Sequence, residues 1–123
     1  MNLLIDTHIL LWWLGDAEHL KQEVRKAIRE PSNRVFVSAA SIWEIAIKSA
    51  SGKLDIPTNL DAALEHSKFQ ELPIRFAHAV AAGKLPEHHR DPFDRMIIAQ
   101  AQCEQLTLVT QDDQIRRYEI PIL

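Results

Sequence analysis

The sequence predicts an α/β fold in which helices cover both faces of a central parallel sheet. Short apolar runs typical of buried strands alternate along the chain with segments whose apolar residues recur at helical spacing. Parallel strands need long crossover connections, and the predicted helices between the runs supply them. With 123 residues, 46% of them hydrophobic, the chain is long enough to bury one core, so we expect a single domain over residues 1–123.

Two strands are predicted in the first half of the chain. NLLI (2–5) is an apolar run that ends at the polar sequence DTH, which is typical of a buried strand entering a turn. RVFVS (34–38) is rich in β-branched and aromatic residues and is the second predicted strand. The helices predicted in this half cover residues 8–14, 18–29 and 38–52.

The second half contains shorter predicted elements. ELPI (71–74) is the third strand and lies at a sheet edge or strand end, because Pro73 cannot donate a ladder hydrogen bond. TLVT (107–110) is the fourth strand, and EIPIL (119–123) is a candidate for a last one. The predicted helices cover 60–67 with Asn59 or Thr58 as cap, 75–82 with Gly83 as the stop, 92 to about 104, and 112–117.

The composition limits the classes of function. A net charge of −3 suits a nucleic-acid binder only if local basic groups or bound cations reverse the sign at the site. The single cysteine, Cys103, excludes an internal disulfide framework and a Cys-rich zinc site, and suits a reducing cytoplasm. The longest strongly apolar run, residues 9–14, is too short to span a bilayer, and the N-terminus lacks the basic region of a secretory signal. We therefore expect a cytoplasmic protein with no membrane partner.

Acidic residues follow three of the predicted strands. Asp6 comes directly after NLLI, Glu44 lies in the first turns of the helix after RVFVS, and Asp112 comes two residues after TLVT. Ligands of open α/β sheets bind outside the carboxyl ends of the strands, so these acids are expected to converge. Crowded carboxylates repel one another unless a cation lies between them, and an all-oxygen ligand set favours Mg²⁺ or Mn²⁺ over zinc. Asp94 joins them only if its helix begins at the same edge, which strand order alone does not require.

Most of these acids also have a plain structural explanation. Ser41 and Glu44 match the S-x-x-E capping box, which has no catalytic content. Asp112 or Asp113 could cap the short helix that follows them. For Asp6 this explanation is weakest, because an acid straight after an apolar strand needs a hydrogen bond or a metal to offset its desolvation.

The string HRDPFDRMIIAQA (89–101) contains a second pair of acids at a predicted helix start. Asp91 suits the N-cap position, and Pro92 suits the first helical residue, whose N–H has no intrahelical partner. Asp94 then lies in the first turn, where a negative charge interacts favourably with the helix dipole. Capping alone therefore explains this string unless other acids converge on the same place.

Four strings together resemble a PIN domain of the VapC toxin type. They are LLIDTH (3–8), SAASIWEIAIK (38–48), HRDPFDRMIIAQA (89–101) and LTLVTQDDQI (106–115), and they occur in the family's order across essentially the whole chain. The resemblance implies a three-layer α/β/α sandwich with a central parallel sheet. It also implies that the helix carrying Asp94 reaches the acidic pocket. The implied activity is that of a Mg²⁺-dependent endoribonuclease, with Mn²⁺ able to substitute, acting as the toxin of a toxin–antitoxin pair.

The resemblance also implies roles for individual residues. The four catalytic acids are Asp6, Glu44, Asp94 and Asp112. Metal is held by Asp6, Asp94 and Asp112, while Glu44 completes the ion shell or orients the attacking water. The supporting residues are Thr7, Thr110, Asp91 and Asp113, and Asp113 leaves the assignment of Asp112 open.

The implied partners are an RNA substrate and a small antitoxin protein whose C-terminal segment wraps the toxin and often places a basic side chain in the acidic pocket. The family also implies a homodimer, or a larger assembly with the antitoxin. The candidates for gripping the RNA backbone are His89, Arg90 and Arg95, for each of which solvated surface charge is the plain alternative. His88 and His89 are adjacent, so they do not form the spaced pair of a helical zinc site.

Two rival functions remain from the sequence. A phosphoacceptor signalling domain also has an acidic Mg²⁺ pocket at strand ends, but it needs a second acid beside the first and a lysine after a later strand. LLIDTH and LTLVTQ lack both. A catalytically inactive PIN fold that serves only as a binding module is the other rival, and the four intact acids argue against it.

Overall fold

A parallel four-stranded sheet forms the centre of the molecule, of which the computed structural model describes residues 1–56 and 59–123. The strands are β1 (Asn2–Ile5), β2 (Arg34–Ser38), β3 (Gln70–Leu72) and β4 (Thr107–Val109). They lie in the order β3-β2-β1-β4, and Ile5 of β1 is opposite both Val37 of β2 and Val109 of β4. The carboxyl ends of the strands therefore meet at one edge of the sheet.

Helices cover both faces of this sheet. They are α1 (Thr7–Leu14), α2 (Gln22–Arg29), α3 (Ala39–Ala50), α4 (Leu60–His66), α5 (Phe76–Lys84) and α6 (Pro92–Glu104), with a 3₁₀ helix over Ile115–Arg117. Side chains alternate across a strand, so Leu3 and Ile5 join a core with α1 and α2, whereas Leu4 joins a second core with α6. This arrangement confirms the predicted three-layer α/β/α sandwich. None of the helices within the described ranges is long and apolar enough to cross a membrane.

Five of the helices differ from the prediction by one to four residues at an end, and for two of them the local cause is clear. The helix predicted over 18–29 begins at Gln22, because the preceding residues form turns in which Leu20 N–H donates to the Ala17 carbonyl. Helix α5 continues through Gly83 to Lys84 instead of stopping at Gly83. The stop comes from Pro86, which forces Leu85 into an extended conformation (φ −61°, ψ 146°).

The predicted strands and caps of the second half need smaller corrections. Strand β3 ends at Leu72, before Pro73, and it lies at the sheet edge as predicted. EIPIL makes one parallel bridge, from Leu108 to Ile122, and no regular strand, since Pro121 has no N–H to donate. The helix predicted over 112–117 is only the 3₁₀ helix. Asn59 caps α4 through its side-chain oxygen, and the alternative cap Thr58 lies outside the described residues.

Candidate active site

Asp6 lies at the carboxyl end of β1 and is almost completely buried, with 2% of its surface exposed. Its Oδ1 accepts a hydrogen bond of 2.8 Å from the Ile9 backbone N–H, so Asp6 is also the N-cap of α1. Burial raises the pKa of Asp6, and a hydrogen bond from Thr110 opposes that rise. The cap role was missed in the sequence, although an aspartate before a helix is a common cap. Asp6 therefore belongs both to the fold and to the site.

Helix α3 positions Glu44. This helix does not begin at Ser41, as the capping-box explanation requires. Ser38 caps this helix by accepting from the Ala40 N–H at 3.0 Å, so Ser41 lies inside the helix and the S-x-x-E box is wrong. The Glu44 side chain is 3% exposed, and its Oε2 accepts from Lys48 Nζ at 2.6 Å. Its Oε1 is buried and has no hydrogen-bond partner among the residues that the structure describes. An unpaired oxygen on a buried carboxylate is costly, so this atom is suited to a cation or a reacting water.

Lys48 also belongs to the site, although the sequence did not identify it. It lies one turn after Glu44 on α3, and the hydrogen bond to Glu44 raises the pKa of Lys48. A Glu followed by Lys at i+4 pairs on a helix surface, so this spacing was a usable signal. Thr7 was predicted to support the acids through its hydroxyl. That hydroxyl instead donates to Ser41 Oγ at 3.0 Å, which holds α1 against α3.

The start of α6 brings a cap and a site acid together. Asp91 Oδ1 accepts from the backbone N–H groups of Phe93 at 2.8 Å and Asp94 at 3.2 Å, which confirms Asp91 as the N-cap. Asp94 is buried, and desolvation, followed by the negative charge of Asp91, raises its pKa to about 6. The charges of Asp6 and Glu44 add to this rise. The helix start therefore lies close to the other acids, which strand order alone did not require.

Asp112 is half-buried next to the other acids of the site, whereas the neighbouring Asp113 is exposed to solvent. The Asp112 N–H donates to Thr110 Oγ1 at 3.1 Å, and its Oδ1 accepts from the Gln114 N–H at 2.8 Å. The negative charge of Asp112 contributes to the raised pKa of Asp6. Thr110 thus contacts both acids, and one oxygen of Asp112 shapes the turn while the other faces the site.

His89, a candidate for gripping the RNA backbone, lies within the acid cluster (Asp6, Glu44, Asp94 and Asp112), which argues against the alternative of a solvated surface charge. Its Nε2 is 2.8 Å from Asp94 Oδ2 and 3.5 Å from Asp112 Oδ2, although without the alignment of a hydrogen bond. Ligand-type atoms of these three residues lie within 4.8 Å of one another. However, Nδ1 accepts from the Asp91 N–H at 3.3 Å, which leaves the proton of the neutral ring on Nε2. A metal-binding nitrogen needs a free lone pair, so in this tautomer His89 faces the acids as a donor and does not bind a metal through Nε2.

The two arginines proposed for RNA contact differ in their surroundings. Arg95 donates to four backbone carbonyl oxygens, those of Ala82, Leu85, Pro86 and His89. This guanidinium holds the loop after α5 in place, so the RNA-contact prediction for Arg95 is not supported. Arg90 is exposed beside the site and stays a candidate.

The donor set fits a hard divalent cation. Asp6, Glu44 and Asp94 are buried carboxylates contributed by the starts of α1 and α6 and by the second turn of α3, and Asp112 completes the group. The raised pKa values of Asp6 and Asp94 show that the ionised carboxylates are unfavourable as they stand. A cation among these oxygens would reverse that effect, and oxygen ligands match Mg²⁺ and Mn²⁺.

Known proteins share both the sequence pattern and the fold. Ribonuclease VapC22 of Mycobacterium tuberculosis is 27% identical over 123 residues, which cover 98% of this chain and 94% of that protein. The structure of VapBC2 from Rickettsia felis bound to a DNA fragment from its promoter matches with a TM-score of 0.75 at 16% identity, covering 100% of this chain and 98% of that chain. DNA-bound VapBC from Salmonella typhimurium matches with a TM-score of 0.71 at 19% identity, covering 100% and 97%. The PIN domain profile matches residues 3–121, and this chain therefore belongs to the PIN domain family.

Proposed function

We propose that this protein is a Mg²⁺-dependent endoribonuclease, with Mn²⁺ able to substitute, and that it acts as the toxin of a toxin–antitoxin pair. The observation that carries the proposal is the convergence of Asp6, Glu44, Asp94 and Asp112 from four distant parts of the chain. The M. tuberculosis relative is named a ribonuclease, and its similarity extends over nearly the whole chain. A binding module without catalysis would not need buried carboxylates with raised pKa values.

The cation would be held by Asp6, Asp94 and Asp112. A bound divalent cation supplies positive charge at the scissile phosphate and lowers the pKa of a water molecule. Glu44 Oε1 is the unpaired carboxylate oxygen that can accept a hydrogen bond from the attacking water, while Lys48 holds Oε2 in place. His89 Nε2–H faces Asp94 and is available as a donor to a phosphate oxygen at the same place. Thr110 keeps Asp6 and Asp112 at a fixed separation through its hydroxyl.

We also propose an antitoxin protein as partner, since two of the structural relatives are VapBC complexes. A cavity of about 570 Å³ beside α3 and α4 suits an apolar segment with basic residues. Its floor contains Ile42, Leu64 and Phe69, with the 61% exposed Trp43 at one side, and its acidic rim contains Asp61, Glu65 and Glu71. A homodimer is proposed as well, for which exposed Phe76 and Val80, one turn apart on α5, offer an apolar surface.

The test compares RNA cleavage by the wild-type protein and by Asp6→Asn. We expect cleavage with Mg²⁺ or Mn²⁺ and none in EDTA, and a loss of at least about 100-fold in Asp6→Asn, because the bound metal contributes several kcal/mol to catalysis. The control is Asp113→Asn, which changes the net charge equally at an exposed aspartate. Circular dichroism checks that each variant is folded.

Two results would count against the proposal. The first is full cleavage by the metal-free wild-type protein. The second is undiminished toxicity of folded Asp6→Asn when it is expressed without a partner. The same variant, if harmless as expected, allows the small partner to be captured from the native host by co-purification.

A further inference from the structure

A second cavity, of about 390 Å³, adjoins the acid cluster on the side of α1 and α3. It shares Glu44 with the candidate active site, and its other polar and aromatic walls are Thr7, His8, Trp12, Lys48 and Lys53. This cavity therefore adjoins the place where the scissile phosphate would lie, and two lysines line it where the active site is acidic. It is separate from the apolar cavity beside α4.

The two lysines are brought to one side of this cavity by the end of α3. The Lys53 N–H donates to the Lys48 carbonyl at 2.9 Å, and the Gly52 N–H donates to the Ser49 carbonyl at 3.1 Å. Gly52 adopts φ +76°, so the turn is a Schellman motif that requires a residue able to take a positive φ. The motif fixes Lys53 beside Lys48, and Lys48 is in turn held by Glu44. The backbone conformation at the end of α3 therefore positions both lysines at the cavity.

The opposite wall, on α1, is aromatic. His8 is exposed and lies one turn before Trp12, with 5.9 Å between the ring centroids. Trp12 is half-buried and is stacked on His19 at 5.5 Å, which holds the indole in place. A cavity with lysines on one wall and fixed rings on the other has the features that bind a nucleotide, since lysine contacts the phosphate and aromatic rings contact the base.

We propose that this cavity binds the nucleotide of single-stranded RNA that neighbours the scissile phosphate, with Lys48 and Lys53 at its phosphate and His8 and Trp12 at its base. The proposal rests on the proposed ribonuclease function and adds a substrate subsite to it. With a net charge of −3, a local basic patch beside the acidic centre would favour the approach of RNA, in addition to any bound cation. Charge also favours RNA over the basic segment expected of an antitoxin, because the lysines repel a basic peptide.

The experiment measures binding of a short, fluorescently labelled single-stranded RNA to the full chain carrying Asp6→Asn, which prevents cleavage. In that background we compare Lys53→Met, His8→Ala and, as a matched control, Lys84→Met, which removes an exposed lysine at the end of α5. Lys53→Met should weaken binding about 3- to 10-fold and reduce the slope of log affinity against log salt by about 0.7, the value for one contact to single-stranded nucleic acid. His8→Ala should weaken binding without changing this slope. Lys84→Met should change neither.

Different outcomes separate failure of the subsite from failure of the proposed function. Equal affinities and salt slopes for Lys53→Met and Lys84→Met, in a protein whose wild type cleaves RNA, would overturn the subsite alone. A chain that neither binds nor cleaves RNA would overturn both. If Lys53→Met leaves RNA binding unchanged but weakens binding of the captured small partner, the cavity belongs to that partner and the proposal is wrong. Restoration of the salt slope by Lys53→Arg, which keeps the charge, would support it further.

Discussion

Replacing Asp94 by asparagine should stabilise the metal-free protein at neutral pH, although it removes a proposed catalytic residue. Burial and the charge of Asp91 raise the pKa of Asp94 from 3.8 to about 6, so folding disfavours the ionised carboxylate. The contribution of Asp94 to stability is therefore present below about pH 4 and is lost as the pH rises through about 6. The gap between 3.8 and about 6 corresponds to at most about 3 kcal/mol of unfolding free energy above pH 7. Asparagine avoids this loss because it carries no charge.

The assay is urea unfolding of both proteins in EDTA, at about pH 4 and about pH 7.5. Asp94→Asn should be more stable than wild type by up to about 3 kcal/mol at the higher pH, and the difference should shrink towards zero at the lower pH. The control Asp113→Asn changes the net charge by the same amount at an exposed position and should behave like wild type at both pH values. With Mg²⁺ present, wild type should gain more stability than Asp94→Asn, because a ligand stabilises the form that binds it.

The reasoning would be refuted by a lower stability of Asp94→Asn at about pH 7.5 in EDTA, with Asp113→Asn unchanged. The Asp94 carboxylate would then contribute favourably to the fold, and its contact with His89 would outweigh burial and repulsion. A stability difference that did not depend on pH would contradict the electrostatic origin of the effect.

Two further variants near the start of α6 distinguish effects on stability from effects on cleavage and RNA binding. Asp91→Ala removes the side-chain acceptor of the Phe93 and Asp94 N–H groups and should lower the unfolding free energy by about 0.5–2 kcal/mol, with less effect on cleavage than Asp94→Asn. Abolished cleavage with unchanged stability in Asp91→Ala would mean that the cap and the site acid are reversed. Arg95→Ala removes donors to four carbonyl groups and should cost about 1–3 kcal/mol in urea unfolding while leaving the salt dependence of RNA binding unchanged. A reduced salt slope in the folded variant would restore Arg95 as an RNA contact.

Local patterns were sufficient for most of the fold and for the cap of α6. The strands over 2–5 and 34–38 were predicted with the limits that the structure shows, because each is a compact run of apolar or β-branched residues. Asp91 and Pro92 identified the start of α6, since a cap depends only on backbone N–H groups two and three residues away. These features involve interactions within a few residues, which the order of amino acids specifies directly.

The surroundings of each site residue were decided by the tertiary structure. Asp6 and Asp94 are 88 positions apart in the sequence, and only the packing of α6 against the sheet brings their charges together. The same packing turns His89 towards the acids and directs Arg95 to backbone carbonyls, although the sequence offered both residues as candidates for RNA-backbone contact. Residue type and spacing identify which side chains can bind a cation or a phosphate. Which of their atoms remain free to do so depends on hydrogen bonds to residues distant in the sequence, and these exist only once the chain has folded.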